Sequence, residues 1–381
     1  MRLSAPGPGE SLPAPWSCAY EAPAPAPFGR STTRSLASGS LHGKRATHNR
    51  DSVSGLVNTG NSCYLASIVQ VLLATPPLEK FFLDDDYLRE INTANRLGSG
   101  GELAETFAEL CKVAASGEFR SLSPAYLQEA LARWAPQYSD ETQQDAHECL
   151  LSLLDGLHED LNLILRPPPP IETSPARETA LQQLPEVVAA DMVWKEYRDR
   201  QDSVIAKSAT AWSACDAILN ARRRVPTDLQ DCIADYLQEE ILRDDNAWRC
   251  PTCKSPQVAS KRVSIARLPQ FLVIHLERFA YNARKITTPI SFPLSGLELG
   301  GLLPPMALAY PSPYELHVPH EPGTSYEFAE GLSEEERWIE IDDETVTPLE
   351  TADGLDDALL RAEETAYLLF YRISDLLPLR D

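Results

Sequence analysis

The chain has 381 residues, of which 43% are hydrophobic and 24% are charged, and its formal net charge is −22. This composition is typical of a soluble protein with one large domain or two ordinary ones. No apolar run reaches the roughly 18 residues that a membrane helix needs, so we expect no membrane partner. The eight cysteines are scattered, which predicts a reducing compartment, the cytoplasm or the nucleus.

The negative charge is concentrated after the first 52 residues. Residues 1–52 carry six basic and three acidic side chains, a net +3, so the remainder carries −25. Nucleic acid is a poor partner for such a body, whereas a basic protein substrate would be attracted to it. An acidic surface that only keeps the protein in solution is an equally good interpretation.

The N-terminal segment 1–52 is rich in Pro, Ala, Ser and Gly and has few aliphatic residues. This composition predicts a disordered tail. Glu10 and Glu21 disfavour a transit peptide, because such peptides avoid acidic residues.

The segment from residue 53 to residue 165 has helical patterns. Apolar residues recur at helical spacing after Cys63 until Pro76-Pro77, Ser123-Pro124 is a helix start, and a leucine face runs through 143–161. The run RPPPP at 166–170 predicts an extended linker.

The second half of the chain predicts strands. KRVSIARLPQFLVIHLERF (261–279) alternates with period two and is broken at Leu268-Pro269, and residues 337–349 and 366–373 are similar. Helices followed by strands predict an α+β fold with a cleft between two subdomains.

Cys63 follows a loop that contains Gly55, Asn58, Gly60 and Asn61, residues that tolerate turn conformations. The first turn of a helix stabilises a thiolate through its N–H groups and dipole, and loop amides are the donors that an oxyanion hole needs. Free cysteine is, however, among the most buried residue types. The residues alone leave a catalytic nucleophile and a small core residue as alternatives.

Four blocks of the sequence resemble the ubiquitin-specific proteases, a family of deubiquitinases, and occur in that family's order. They are GLVNTGNSCYLASIVQVLL (55–73), QQDAHECLLSLLDGLHEDL (143–161), CPTCKSPQVASKRVSIARLPQFLVIHLERF (250–279) and the stretch from WIEIDDETVTPLE to AYLLFYRI (338–373). The resemblance implies a papain-like domain over 53–374, with a helical thumb (53–165), reduced fingers (186–260) and a β-rich palm (261–374), followed by a tail at 375–381.

The resemblance also implies an active site that cleaves after the C-terminal glycine of ubiquitin. Cys63 matches the nucleophile, Asn58 the oxyanion donor and Asp342 the residue that orients the histidine, with Asp343 as a possible substitute. Gln144 and Asp145 match residues that contact the basic tail of ubiquitin.

The histidine block departs from the family pattern. Aligned without a gap from Trp338, the position of the catalytic histidine falls on Ser325, and a serine hydroxyl cannot serve as the general base. His320 is the first alternative base and His317 the second. His147, His158 and His275 are expected to have packing roles.

The zinc-binding block is also incomplete. Cys250 and Cys253 form one C-x-x-C knuckle, but a second pair is missing and Cys215 and Cys232 are isolated. Four ligands are usual for structural zinc, so we expect none, and the implied chemistry requires no cofactor.

Two functions remain from the sequence. The first is a cysteine-type deubiquitinase acting on ubiquitin and ubiquitinated proteins. The alternative is a non-catalytic ubiquitin-binding protein that keeps the cleft and lacks the base.

Overall fold

The computed structural model describes residues 53–140, 142–164, 174–203, 219–220, 227–250, 253–265, 271–279, 285–294, 297–299, 325–328, 338–349 and 352–373. Helices dominate the first half of this set and strands the second half. The predicted α+β fold class is confirmed. The RPPPP run, the predicted tails and Leu268-Pro269 lie outside the described residues.

Nine α-helices lie within the described ranges. They are α1 (Cys63–Leu73), α2 (Pro76–Leu83), α3 (Glu102–Ser116), α4 (Ala125–Trp134), α5 (Ala146–Asp160), α6 (Pro175–Gln183), α7 (Glu186–Arg198), α8 (Leu229–Leu237) and α9 (Ala352–Thr365). No single helix in this set is both long and apolar enough to span a membrane. Only α1 and α2 taken together reach the required length and hydropathy, and they are bent by 82° at their junction.

The strands are short except in the central sheet. They are β1 (Gly55–Leu56), β2 (Ser121–Leu122), β3 (Leu219–Asn220), β4 (Thr227–Asp228), β5 (Glu240–Leu242), β6 (Trp248–Arg249), β7 (Pro256–Gln257), β8 (Ala259–Lys261), β9 (Phe271–Glu277), β10 (Ile290–Ser291), β11 (Leu297–Glu298), β12 (Ser325–Phe328), β13 (Trp338–Asp342), β14 (Thr345–Leu349) and β15 (Leu368–Ile373). The central sheet has the order β11-β12-β15-β9-β3, and the other strands form two-stranded pairs.

The helical subdomain is held together by one apolar core and by a buried carboxylate. The leucine face of α5 is buried as predicted (Leu150, Leu154, Leu157, Leu161). Asp160, fully buried at the end of α5, accepts hydrogen bonds from the backbone N–H of Ser99, Gly101 and Ala104 at 2.6–3.2 Å. These donors lie at the start of α3, so the carboxylate caps α3 and fixes it against α5.

Strands β9 and β15 separate two apolar cores. Phe271 and Val273 of β9 belong to the helical core, whereas Leu272, Ile274 and Leu276 belong to a second core that includes residues of α8. The prediction of a strand at β9 is confirmed, but the expected polar face is absent, since a sheet covered on both sides buries every position.

The β13–β14 hairpin packs against β1, which brings the two ends of the sequence together. The N–H of Leu56 donates to the carbonyl of Asp343 at 2.8 Å. A Cβ atom at Gly55 would lie 2.5 Å from the carbonyl oxygen of Glu344. Only glycine therefore permits this close approach of two backbones.

Candidate active site

The thiol of Cys63 is exposed at the first position of α1. This position excludes the alternative of a core residue. Cys111 and Cys149 are the buried cysteines, and burial raises the pKa of the Cys149 thiol to about 12. Burial together with nearby aspartates raises the pKa of Cys232 to about 11.

The loop before Cys63 is organised around the side chain of Asn58. Its Oδ1 accepts hydrogen bonds from the backbone N–H of Gly60 (3.0 Å) and Ser62 (3.1 Å). Gly60 and Asn61 have φ values of 114° and 47°, in the left-handed region that glycine and asparagine tolerate best. The loop residues noted in the sequence therefore form a tight turn into α1.

The amide of Asn58 is also tied to the acidic end of the β13–β14 hairpin. Its Nδ2 donates to Oδ2 of Asp343 at 2.8 Å. Asp343 has φ 48° and occupies the turn after Asp342, which ends β13 and is exposed. Of the two adjacent carboxylates, Asp343 is the one that contacts Asn58, and the role of Asp342 toward a histidine remains a prediction.

Gln143 lies against the thiol of Cys63 and was not among the candidate residues. Its Nε2 is 3.6 Å from Sγ of Cys63 and 3.4 Å from Oδ1 of Asn61, and its Oε1 is 3.7 Å from the same sulfur. The first glutamine of the 143–161 block is thus nearer to the nucleophile than the second. The order of residues in the block gave no signal for this distinction.

Asp145 and Gln144 have local partners. Asp145 caps α5 by accepting hydrogen bonds from the N–H of His147 (2.7 Å) and Glu148 (3.1 Å), and the hydroxyl of Tyr367 donates to its other oxygen. Burial and this bond raise the pKa of Tyr367. Gln144 donates to the hydroxyl of Thr142 at 2.9 Å. Their proposed contacts with ubiquitin remain predictions.

The described histidines have packing roles, as expected. His158 is buried, with Nδ1 2.6 Å from the hydroxyl of Ser203 and Nε2 2.7 Å from Oε1 of Gln201. His147 and His275 stack with ring centroids 4.3 Å apart. His317 and His320, the alternative bases, lie outside the described residues.

Ser325 does not stand beside Cys63. It begins β12, where the next residue, Tyr326, pairs with Ile373 at the end of β15. Tyr367, which contacts the N-terminus of α5, precedes the other end of β15. Six residues of extended chain, about 20 Å, separate Tyr367 from Ile373. The gapless alignment that placed Ser325 at the histidine position therefore does not match the sheet register.

Comparison with known proteins decides the family. The model of the family described as "Ubiquitin carboxyl-terminal hydrolase" matches residues 54–371, most of the chain. The chain belongs to this family. The resemblance read from the four sequence blocks is confirmed.

Relatives of this ubiquitin carboxyl-terminal hydrolase include proteins from fungi and from human. The chain is 33% identical over 267 residues to ubiquitin carboxyl-terminal hydrolase 4 of Eremothecium gossypii, which covers 63% of this chain and 31% of the relative. It is 29% identical over 355 residues to ubiquitin carboxyl-terminal hydrolase 2 of Homo sapiens, covering 84% and 55%. The matched region thus spans about a third to a half of these relatives.

Solved structures show the same fold. The SAGA DUB module Ubp8/Sgf11/Sus1/Sgf73 bound to monoubiquitin contains a chain that matches with a TM-score of 0.55 and 18% identity, covering 87% of this chain and 71% of that one. The same module bound to ubiquitin aldehyde matches with a TM-score of 0.55. The thumb, palm and fingers architecture implied by the sequence is therefore the architecture of this ubiquitin carboxyl-terminal hydrolase.

The residues at the incomplete knuckle do not fit a structural zinc ion. Cys250 and Cys253 flank a turn between β6 and β7, and within the described ranges no group of three or more His, Cys, Asp or Glu side chains could hold a metal. Two thiolates supply half of the usual set of four ligands. Cys232 instead packs against the second core, and Cys215 lies outside the described residues.

Proposed function

We propose that this chain is a cysteine-type deubiquitinase, which hydrolyses the peptide or isopeptide bond after the C-terminal glycine of ubiquitin. The observation that carries the proposal is the exposed thiol of Cys63 at the start of α1, in contact with Gln143 and preceded by the Asn58 turn. Three distant segments of the sequence meet there, which a small core cysteine would not require.

The contacts of Asn58 suit an oxyanion donor. A side-chain amide has two N–H groups, and one of those on Asn58 is donated to Asp343. Its oxygen is held by two backbone N–H groups, so the amide cannot flip without losing these bonds. The second N–H is thereby given a fixed direction, as stabilisation of the tetrahedral intermediate requires.

The proposed reaction begins with attack of the Cys63 thiolate on the carbonyl carbon after ubiquitin's last glycine. The general base must accept the thiol proton and return it to the leaving amine. We assign this role to His320, with His317 as the alternative, and the orienting role to Asp342. The reaction needs no cofactor, and we place the protein in the cytoplasm or nucleus.

The proposed partner is ubiquitin, alone or attached to proteins. Solved relatives of the same fold were captured with monoubiquitin and with ubiquitin aldehyde. Asp145 offers a carboxylate two residues after Gln143, which touches the nucleophile. A carboxylate at this place suits the basic residues of the ubiquitin tail.

A ubiquitin probe with a C-terminal electrophile tests the nucleophile. We expect the full chain to form one covalent adduct, Cys63→Ala to form none, and Cys253→Ser to react as the wild type does. Cys253 is the matched control because its thiol is also exposed. Absence of an adduct under conditions in which a related active enzyme is labelled would refute the proposal.

A non-catalytic ubiquitin-binding protein is the second candidate, and the position of Ser325 away from Cys63 favours it. Hydrolysis of ubiquitin with a C-terminal fluorophore separates the two. The deubiquitinase should turn over this substrate, and His320→Ala or His317→Ala should lower kcat by at least about 10²-fold. A binding protein would retain ubiquitin affinity without turnover, and Cys63→Ala would leave that affinity unchanged.

A further inference from the structure

The C-x-x-C turn between β6 and β7 has lost the partners that would make it a zinc knuckle, yet it keeps both thiols close together. Trp248 pairs with Gln257 and Arg249 with Pro256, so the two cysteines occupy the connection of a short hairpin. Cys253 is exposed and Cys250 is half-buried. A pair of accessible thiols without further ligands has the composition of a redox couple rather than of a metal site.

The backbone of the turn holds the two thiols in the same direction. The N–H of Lys254 donates to the carbonyl of Cys250 at 2.9 Å, and the N–H of Cys250 donates to the carbonyl of Ser255 at 3.1 Å. Lys254 has φ 58°, so the chain curls tightly after Cys253. The thiols of Cys250 and Cys253 contact each other within this curl.

Ser255 supplies a further contact that favours reaction at Cys253. Its hydroxyl lies 3.0 Å from Sγ of Cys253. Hydrogen bonds from Ser255 and from the Cys250 thiol lower the pKa of Cys253. A thiol that is exposed and stabilised as thiolate is the one that peroxides attack first.

We infer that Cys250 and Cys253 form a reversible dithiol–disulfide site that is oxidised by hydroperoxides. This inference is independent of the active site at Cys63 and assigns a modification site on the fingers. It also explains how a two-cysteine remnant of a knuckle can retain a chemical role without metal.

The oxidation has two balanced steps, with hydrogen peroxide as the oxidant. The Cys253 thiolate attacks one peroxide oxygen, the O–O bond breaks, and hydroxide leaves and takes up the proton released by that thiol, giving a sulfenic acid and water. The sulfur of Cys250 then attacks the sulfur of Cys253, the S–O bond breaks, and the departing hydroxide takes the Cys250 proton as a second water. The sulfurs lose two electrons, which the peroxide gains.

The sequence offers a direct readout, because Arg249 and Lys254 flank the pair. Trypsin releases Cys250–Lys254 as one peptide that carries both thiols. The full chain with Cys63→Ala is treated with hydrogen peroxide, alkylated, digested and weighed. We expect this peptide to lose two hydrogen atoms and to escape alkylation, and to gain two alkyl groups after treatment with dithiothreitol.

Cys250→Ser is the matched control, since it keeps the attacking thiol and removes the resolving one. This variant should accumulate a sulfenic acid at Cys253 that a dimedone reagent traps. Two results would overturn the inference. One is a peptide fully alkylated after a peroxide dose that oxidises Cys63 in the wild type. The other is stoichiometric zinc in the purified full chain that Cys253→Ser removes.

Discussion

At the residue scale, the hydrogen bond between Asn58 and Asp343 gives the second carboxylate of the Asp-Asp pair a role of its own. The 2.8 Å contact joins the oxyanion donor to the hairpin turn. The backbone of Asp343 also accepts a bond from Leu56, so the turn is held even without the side chain. The carboxylate can therefore be removed without displacing the hairpin.

We expect Asp343→Gly to lower kcat for a fluorogenic ubiquitin substrate by about tenfold or more, with little change in KM. Loss of one oxyanion donor costs about 10²–10³ in kcat, and loss of its orientation costs part of that. Glycine accepts the φ of 48° at this position. Asp343→Asn, which can still accept the bond, should lose less. Wild-type kcat in Asp343→Gly would show that Asn58 does not depend on this contact.

His158 is the residue whose protonation should affect stability. Burial lowers the pKa of His158 below its usual 6.5, although Glu159 opposes this effect. Its two partners suit the neutral ring, because Nε2 faces the acceptor Oε1 of Gln201 and Nδ1 can accept from Ser203. As the pH falls below 6.5 the unfolded chain takes up this proton before the folded chain does, so the free energy of unfolding decreases.

The corresponding measurement is urea unfolding of the wild type and His158→Gln at about pH 7.5 and about pH 5.5. We expect the wild type to lose more stability than the variant between these values, since only the wild type carries the buried imidazole. An identical loss in both proteins would mean that His158 is protonated as easily in the folded chain as in the unfolded one.

At the element scale, Arg278 connects the sheet to the end of α9. Its buried guanidinium donates to the carbonyl oxygens of Ala366 (2.5 Å), Glu363 (2.6 Å), Thr288 (2.9 Å) and Ile286 (3.2 Å). Carbonyl groups at a helix C-terminus lack partners within the helix, and the positive charge is favourable there. One side chain thus fixes α9 and the loop after β9 to the same strand.

Arg278→Met should lower the free energy of unfolding by about 3 kcal/mol or more, because it leaves several buried carbonyl groups without donors. Arg361→Met is the matched control. It removes the same charge from an exposed pair with Glu340 on β13 and should cost less than about 1 kcal/mol. Equal urea midpoints for the two variants would contradict the role given to Arg278.

The elements that sequence could predict are those with a strong local pattern. Helix α5 has its aspartate cap and a regular leucine face, and β9 is a continuous apolar run. The start of α4 shifts by one residue, since Pro124 rather than Ser123 occupies the N-cap position. Helix α9 was missed, because its acidic sequence has a weak apolar face and its C-terminus depends on Arg278, far away in the chain.

The active site shows the same limit. Cys63 and Asn58 were found because they belong to one loop. The contact of Gln143 with Cys63 and that of Asp343 with Asn58 join residues 80 and 285 positions apart. Such contacts depend on how the elements pack, and a single sequence does not specify them.

At the scale of the whole molecule, the net charge of −22 and the carboxylate of Asp145 act on the same partner. The general field raises the rate of encounter with a basic segment and is screened by salt, whereas a carboxylate at the binding position also slows dissociation. The two contributions can be separated, because many acidic residues supply the first and only those at the site supply the second.

Asp145→Asn removes the local charge and keeps the helix cap, since asparagine caps as well as aspartate. We expect it to weaken ubiquitin binding by about tenfold at low salt, the equivalent of about 1.4 kcal/mol, and to reduce the salt dependence of Kd. Glu109→Gln, at an exposed position of α3, removes the same formal charge elsewhere and should leave Kd within about twofold. The measurement is titration of labelled ubiquitin into Cys63→Ala protein at two ionic strengths. If both variants weaken binding equally, net charge alone attracts ubiquitin and Asp145 has no local contact with its tail.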